Sequence, residues 1–508
     1  MAENNNFDRE FCGNLAIHQT NSIQDYGYLL VLNSSDLNII QGSENIADLT
    51  GMDIRTLIGT SFVDFLNEED KERFREEATR QGRTRVPFNS TISGNGFNKS
   101  LNILLHISRE IIIMEIEEAD LSSARTFSEV FQEVRSFIST LEGIEELEEI
   151  CKTSLAEIRR LSGFDGARMY RFDTQWNGTV IAEDIEGALE SYLGQTFPAS
   201  DVPKQARALY IRNPFRLISN RNYKPQRLFP VINPATNGFT DLSDCNLRSV
   251  AGVHLEYMAN MNVSASMSIR VMVDGKLWGL ISCHHVAARH PSFELRSIFE
   301  WLSMEISHRI SSVLKQEQLK RSHEILLLQG EIARAVYQRS DIVLGLMEEG
   351  YQSLLSLFKC SGMIISLNGK IHFKGKVPPR EELDNLLLWA SGMGFSKVFS
   401  SNELSRSYDE AKSFQQTASG ILSIPINSKN GDYLLCFRPE AVKDIKWGGN
   451  PNQAVNFDQD SPQYHPRTSF KLWLQTVYGQ SEAWSETDIE AAESLKNFLM
   501  EFSSSLVL

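Results

Sequence analysis

Three stretches carry side chains whose types and spacing could do chemistry. In FPASDVPKQARALYIRNPFRLISN, two prolines bracket Asp201 and forbid regular helix through it. The carboxylate and its backbone carbonyl are held on an extended loop, so Asp201 reads either as a cap for the helix in KQARALYI or as a group offered to a ligand. In DLSDCNLRSVAGVHLEYMANMNVSASMSIRV, Arg248, His254 and Tyr257 precede Ser266 and Ser268, which the two-residue strand period puts on one face. Arg248 and Arg216 could grip a carboxylate bidentately, or could both stand solvated on the surface. The third stretch, LWGLISCHH, alternates so that Cys283 and His285 face one way and His284 the other. The triplet cannot chelate a metal as a unit, so no metal site is expected, and His284 reads as a strand-end histidine bonded to something polar.

Composition limits what could surround these groups. At 508 residues the chain exceeds one hydrophobic core, and domains of about 100–200 residues predict roughly three. A 42% hydrophobic and 23% charged make-up suits soluble globular folding. No window approaches the roughly 18 apolar residues of a membrane helix, and MAENNNFDRE is polar and acidic where a signal peptide would be basic and then apolar. The expected location is cytoplasmic. Six cysteines, with no CxxC pair among them, argue against a zinc ribbon and a secreted disulfide framework. A net charge of −15 disfavours nucleic acid and anionic membrane as partners, so an anionic ligand needs a local arginine cluster.

The elements that must position these residues follow from periodicity. Residues 23–117 alternate strand-like runs (GYLLVLN, SLNILLHIS, EIIIMEIEE) with short helices such as EEDKERFREEATR, the pattern of a small antiparallel α+β sensor domain. Apolar spacing of three and four then predicts helices from SSARTFSEVF to EIRRLSG, which enter a second domain. That domain opens with the strands GARMYRFD and GTVIAED and closes with MSIRVMVDGKLWGLISCHH, where Asp274-Gly275 marks a hairpin. FELRSIFEWLSMEISHRISSVLKQEQLKRSHEILLLQGEIARAVYQ is helical throughout and suggests a connecting spine and a dimer seam. A third strand-helix domain follows, and inside it the stretch from about 445 to 483 is long, aromatic and rich in turn residues, the mark of an ordered functional loop.

Taken together these residues resemble the phytochromes, over nearly the whole chain and in the family's order of PAS, GAF and PHY domains. PASDVP is similar to the family's P-x-S-D-I-P, with Val202 in place of Ile. DLSDCNLRSVAGVHLEYMANMNVSASMS and DGKLWGLISCHH resemble its bilin-pocket segments, and WGG, PRTSF and WSE (with Glu486) its tongue, a hairpin that covers the chromophore. The resemblance implies an α+β chain with an N-terminal extension (1–22), a PAS domain (23–120), a GAF domain (121–312) and a PHY domain (313–508) whose tongue spans about 445–486. In NSIQDYG, which resembles the family's G-S-I-Q-P-H-G, Ile23 would thread a GAF lasso to make a figure-of-eight knot, and Asp25-Tyr26 replace the usual Pro-His. In bacterial phytochromes a cysteine ahead of the PAS domain forms a thioether with biliverdin, and Cys12 stands in that place. Plant and many cyanobacterial relatives use a GAF cysteine before the pocket histidine; that position is Val253 here, which favours biliverdin IXα over phycocyanobilin.

The same resemblance implies that Asp201 offers its carbonyl to the pyrrole N–H groups and its side chain to the tongue. Arg216, Arg248, Tyr210, Ser266 and Ser268 would hold the propionates, His254 the pyrrole water and a propionate, and His284 the ring D carbonyl, with Tyr170, Phe197 and Tyr257 around ring D. Ala251-Gly252 stand where the family has Ser-Pro and remove one hydroxyl. The implied mechanism is photoisomerisation between rings C and D, loss of the Asp201–Arg467 bridge, and refolding of the tongue with Ser469 replacing Arg467 and Trp473 and Trp484 exchanging packing sites. No kinase output follows the PHY region and no nucleotide loop is found, so the chain reads as the photosensory core of a longer receptor, a homodimer through its long helices, feeding an output module or response regulator. His323 in SHEILLLQ lacks the polar residue and proline of a phosphoacceptor box and reads as a structural helix residue. The rival readings are a light-independent PAS/GAF ligand sensor and a bilin protein that fluoresces rather than photocycles.

Overall fold

The run YLLVLN in Tyr28–Asn33 is apolar at nearly every position because both faces of its strand are covered. Leu30 and Leu32 enter a core with Ile39, Phe74, Phe88 and Ile103, while Leu29 and Val31 pack on the opposite face with Ile23, Leu228 and Leu247. The protein is described here from a computed structural model, covering residues 16–79, 84–94, 97–119, 127–187, 189–393, 396–451, 455–457 and 464–505. Cys12 lies outside these residues. The chain divides into two units: residues up to Val313 with Lys446–Trp473, and Leu314–Ile445 with Leu474–Leu508.

The first unit holds two large sheets and a two-stranded ribbon described below. Its strands up to Val313 are β1 (Ser22–Ile23), β2 (Tyr28–Asn33), β3 (Ile39–Ser43), β4 (Arg85–Gly94), β5 (Phe97–Ile107), β6 (Ile111–Glu118), β7 (Gly166–Phe172), β8 (Gly178–Ile185), β9 (Thr196–Phe197), β10 (Phe215–Ile218), β11 (Gln226–Phe229), β12 (Ala265–Val273) and β13 (Lys276–His285). The first sheet runs β1-β11-β3-β2-β6-β5-β4, so a strand from the chain's third hundred residues completes a sheet built by the first. Ile23 pairs with Gln226 on one side and bridges Arg248 on the other, and the Gln24 N–H donates to Leu247 O at 2.7 Å. The segment around Ile23 is thus hydrogen-bonded between two stretches of one later loop.

The second sheet runs β10-β12-β13-β7-β8-β9, antiparallel throughout. Asp274 (φ 48°) and Gly275 (φ 73°) turn β12 into β13, the two positive φ values of a hairpin whose twist suits the strands. One face carries Met267, Ile269, Ile281 and Cys283, all fully buried. Along that sheet lies the helix Phe293–Arg339, whose Ser303 and Ser307 bond the β12 backbone. The other face carries Ser266, Ser268, Ser282 and His284 beneath the helices Lys204–Arg212 and Gly252–Asn260.

The second unit is a five-stranded sheet of β14 (Gly362–Leu367), β15 (Lys370–Gly375), β16 (Phe399–Ser401), β17 (Gly420–Asn427) and β18 (Asp432–Arg438), ordered β15-β14-β18-β17-β16. Alternation again divides it: Met363, Ile365, Leu422 and Leu434 pack with Leu354, Leu495 and Leu499, and Ile364, Ile421, Leu435 and Phe437 with Leu383, Leu386 and Phe414. Arg438 bonds Phe358 O at 2.7 Å and Asp488 at 2.9 Å and lies 3.8 Å over the Trp484 ring. The turn-rich stretch expected to be an ordered loop forms short strands β19 (Lys443–Gly448), β20 (Val455–Phe457), β21 (Tyr464–Pro466) and β22 (Leu472–Val477). Through Trp447 and Thr196, β19 adds in parallel to β9. No helix among the described residues is long and apolar enough to cross a membrane.

Candidate functional site

A cavity of about 240 Å³ opens on the polar face of the second sheet. Its floor is strand alternation: Ser266 and Ser268 from β12, Leu280, Ser282 and His284 from β13, and Tyr170 and Phe172 from β7. Its walls are the 197–216 segment, which supplies Phe197, Asp201, Val202, Tyr210 and Arg216, and the 248–257 segment, which supplies Arg248, His254 and Tyr257. All eleven residues to which the resemblance gave a bilin contact, and Val202 of the PASDVP motif, therefore line one cavity.

Asp201 does not cap the following helix; that position belongs to Pro203, which makes no side-chain cap. The loop instead turns the carboxylate outward. Its Oδ1 accepts from Arg467 Nη2 at 2.6 Å and its Oδ2 from the Tyr257 hydroxyl at 3.0 Å, with the two charged side chains 7% and 3% exposed. Burial pushes the Asp201 carboxyl upward, and Arg467 and Tyr257 pull it back. Arg467 also donates to Gly448 O at 2.6 Å, and its carbonyl accepts from Asn260 at 3.0 Å. Phe470 meets Tyr257 edge-on at 5.0 Å, next to the Tyr170–Phe197 pair at 5.6 Å. Two glycines permit this docking: a Cβ on Gly448 would sit 2.4 Å from the Phe197 ring, and Gly449 has φ +97° against Ser469 O.

The cationic side of the cavity has no acid paired with it among the described residues. Arg216 donates to Asn246 O at 2.5 Å and to Arg248 O, and Arg248 to Leu242 O at 3.3 Å and Ser243 O at 3.4 Å. Neither forms an ion pair among the described residues. Arg248 is 6% exposed, and burial, then the neighbouring Arg216, lowers its pKa to about 9. Tyr210 is raised by burial, with Ser268 in hydrogen-bonding reach, and Ser249 Oγ is buried without a partner. His254 stacks on Tyr257 at 5.9 Å and is lowered to about 4 by burial and then Arg216, so it is a neutral imidazole. An elongated apolar molecule bearing carboxylates fits this set: aromatic walls for its body, unmatched guanidiniums and hydroxyls for its acids.

The remaining expected residues lie elsewhere. Ile23 is fully buried in β1. Ser469 is exposed and lines a second hollow beside His284, and Trp473 is half-buried in β22. In the second unit, Trp484 donates to Ser401 O at 3.1 Å, and Glu486 is exposed at the start of the helix Glu486–Ser505. His323 is exposed on the long helix. Sequence reasoning passed over Arg168, a buried β7 residue 3.1 Å from His284; the period that places Tyr170 on the cavity face places Arg168 there too. It also passed over a buried cluster of His106, Glu115 and Cys245. There the carboxylate is shared between His106 at 2.8 Å and the Leu247 N–H at 2.5 Å, which makes it a hydrogen-bonded strut under the 246–249 loop.

Comparison with known proteins agrees with this architecture. Residues 12–119 match the PAS fold, 146–312 the GAF domain and 325–505 the phytochrome region. Cyanobacterial phytochrome B of Nostoc sp. is 33% identical over 495 residues, which are 97% of this chain and 66% of that protein. The chain thus spans just under two thirds of that relative's length. The crystal structure of a bacteriophytochrome from the photosynthetic bacterium R. palustris superposes with a TM-score of 0.86 at 31% identity, covering 98% of this chain and all of that one. The Stigmatella aurantiaca phytochrome photosensory core module gives 0.83 at 34% identity, covering 97% and 98%. With the PAS, GAF and phytochrome-region models matched in order and these likenesses along almost its whole length, the chain belongs to the phytochrome family.

Proposed function

We propose that this chain is the photosensory core of a red/far-red photoreceptor that holds biliverdin IXα in the cavity, attached as a thioether to Cys12. The observation that carries the reading is the pair Arg216 and Arg248, two guanidiniums on an apolar cavity with no carboxylate of their own, as a ligand with two propionates requires. When bound, biliverdin supplies red-light absorption and a double bond that isomerises. The chain's residues do the rest. Arg216, Arg248, Tyr210, Ser266 and Ser268 receive the propionates, the Asp201 carbonyl and His254 the pyrrole N–H groups and their water, and His284 the terminal carbonyl. Tyr170, Phe197, Tyr257 and Val202 exclude water from the body. Domain limits of 23–120, 121–312 and 313–508, and the knot at Ile23, belong to the same proposal.

For switching, the Asp201–Arg467 bridge is the latch. Its opening releases the tongue, Ser469 takes the place of Arg467, and Trp473 and Trp484 exchange sites. Two alternative packings of one element are what a light-driven bias needs. The long helices then pass the change to an output module. Leu319 and Leu326, seven residues apart and 64% and 67% exposed, suit a homodimer seam on the long helix. Leu326→Glu is expected to shift the mass measured by light scattering from dimer toward monomer.

The decisive experiment is an absorption spectrum of the protein mixed with biliverdin, before and after red illumination, with a zinc-fluorescence gel of wild type and Cys12→Ala. A red band that converts to a far-red one, and an adduct lost in the variant, is the expected result. A stable red band with strong emission would point to a fluorescent protein. No adduct and no light response would point to a light-independent ligand sensor.

A further inference from the structure

Arg168 is a guanidinium behind the cavity, lining the second hollow with His284, and it has an oriented set of partners. On β7 and 1% exposed, it has Glu183 of β8 3.6 Å from its Nε, the Tyr192 ring 4.8 Å from its centre, and Glu190 O accepting from Nη2 at 2.6 Å. These contacts leave Nη1 pointing at Nδ1 of His284, 3.1 Å away. Arginine has donors and no acceptor, and it keeps its proton at all ordinary pH. Nδ1 must therefore be the lone-pair nitrogen. The neutral ring then carries its hydrogen on Nε2, which lies 3.2 Å from Ser282 Oγ, itself on the cavity lining. A hydrogen on Nδ1 would set N–H against N–H, and protonating both nitrogens would also put a second cation beside the first.

We propose that Arg168 is a positioning residue that holds His284 as a neutral imidazole with its Nε2–H toward the cavity, so that this wall always offers a donor to a carbonyl oxygen of the ligand. The tautomer follows from the protein's own geometry; the identity of the ligand rests on the chromophore reading above. The charged and titratable groups that face His284 are Arg168 from β7, Glu183 from β8, Glu190 from the loop after it, His254 from the Gly252–Asn260 helix, and Lys471, which shares the second hollow. His285 points to the opposite face and pairs with Asp165 at 2.7 Å. Burial, Arg168 and then His254 hold the His284 pKa at about 3.

The test uses the biliverdin-loaded protein and its Arg168→Met and Arg168→Lys variants, with the red band followed from pH 4 to 8. Wild type and Arg168→Lys are expected to show no His284 transition in this window. Arg168→Met should raise the histidine's pKa, still short of the ordinary 6.5 because burial remains, so that a transition enters the window from its acid end, and His284→Gln added to Arg168→Met should remove it. Superimposable profiles for wild type and Arg168→Met, or a transition that survives His284→Gln, overturn the proposal. Nitrogen NMR of wild-type protein labelled with ¹⁵N-histidine reads the tautomer without any ligand. A His284 that carries its hydrogen on Nδ1, or that protonates above pH 5, overturns the proposal even if Arg168→Met does not fold. Failure of the wild type to take up biliverdin would sink the chromophore reading and leave the tautomer measurement standing.

Discussion

Asp201 is a carboxylate shut between a guanidinium and a phenol, so the cost of breaking the set depends on which member goes. Arg467→Ala leaves the acid buried and unpaired, and about 3–5 kcal/mol of stability in the first unit should be lost. Asp201→Asn combined with Arg467→Ala should cost less than Arg467→Ala alone, since no buried charge remains; urea unfolding of the three variants gives the comparison. The buried histidines set a pH slope of known sign. With folded pKa values of about 4 for His254 and about 3 for His284 against an ordinary 6.5, the native state binds fewer protons than the unfolded one below pH 6.5. Stability therefore rises with pH through this window, and His254 alone accounts for a loss of roughly 3 kcal/mol by pH 4. Asp201, raised by burial, opposes that slope, so unfolding of His254→Gln beside wild type at pH 7, 5.5 and 4.5 isolates the histidine, whose removal should flatten the curve. Ser266, Ser268 and His284 were legible from alternation alone, because a strand face needs no partner to be read. Arg168 was not: its meaning lies in His284, 116 residues away, and in the sequence it is one of two arginines in the strand GARMYRF, with nothing local to tell them apart.

At the scale of elements, legibility followed hydrogen-bond distance. The Asp274-Gly275 hairpin is local and was read correctly, as was the long helix, which the structure extends without a break over Phe293–Arg339. Composition alone read the tongue as an ordered loop, and only the resemblance implied a hairpin there. Its strands are short and do not alternate, and β19 finds a sheet edge only at Thr196, some 250 residues upstream of Trp447. What the sequence does carry there is the Gly448-Gly449 pair. Gly449→Ala puts a Cβ 2.4 Å from Ser469 O at φ +97°, a conformation that costs an L-residue about 1–2 kcal/mol before the clash is counted. The expected outcome is faster proteolytic cleavage within 446–473 while fragments of the second sheet stay resistant, read by mass spectrometry. Uniform resistance would show that the tongue's seat tolerates the side chain.

For the whole molecule, three sequence domains become two structural units because β11 lends itself to the first sheet and the Ile23 segment is gripped from both sides. No periodicity within either stretch encodes a pairing between residues 200 apart. Ile23→Ala should open a cavity at this junction, costing about 2–4 kcal/mol, and hydrogen exchange should rise together in β2, β6 and β11 rather than in one of them. The cavity has a further property in time. Every lining residue but Pro466 has been made by His285, whereas Pro466 and Arg467, which bonds Asp201, are roughly 180 residues further along the message. At about 5–20 residues per second of synthesis, each new chain offers an uncovered pocket for roughly 10–40 seconds before its own lid exists. On the chromophore reading proposed above, a ligand that enters during translation meets the pocket without Arg467 over Asp201, and one that enters the finished protein meets it with that bridge in place.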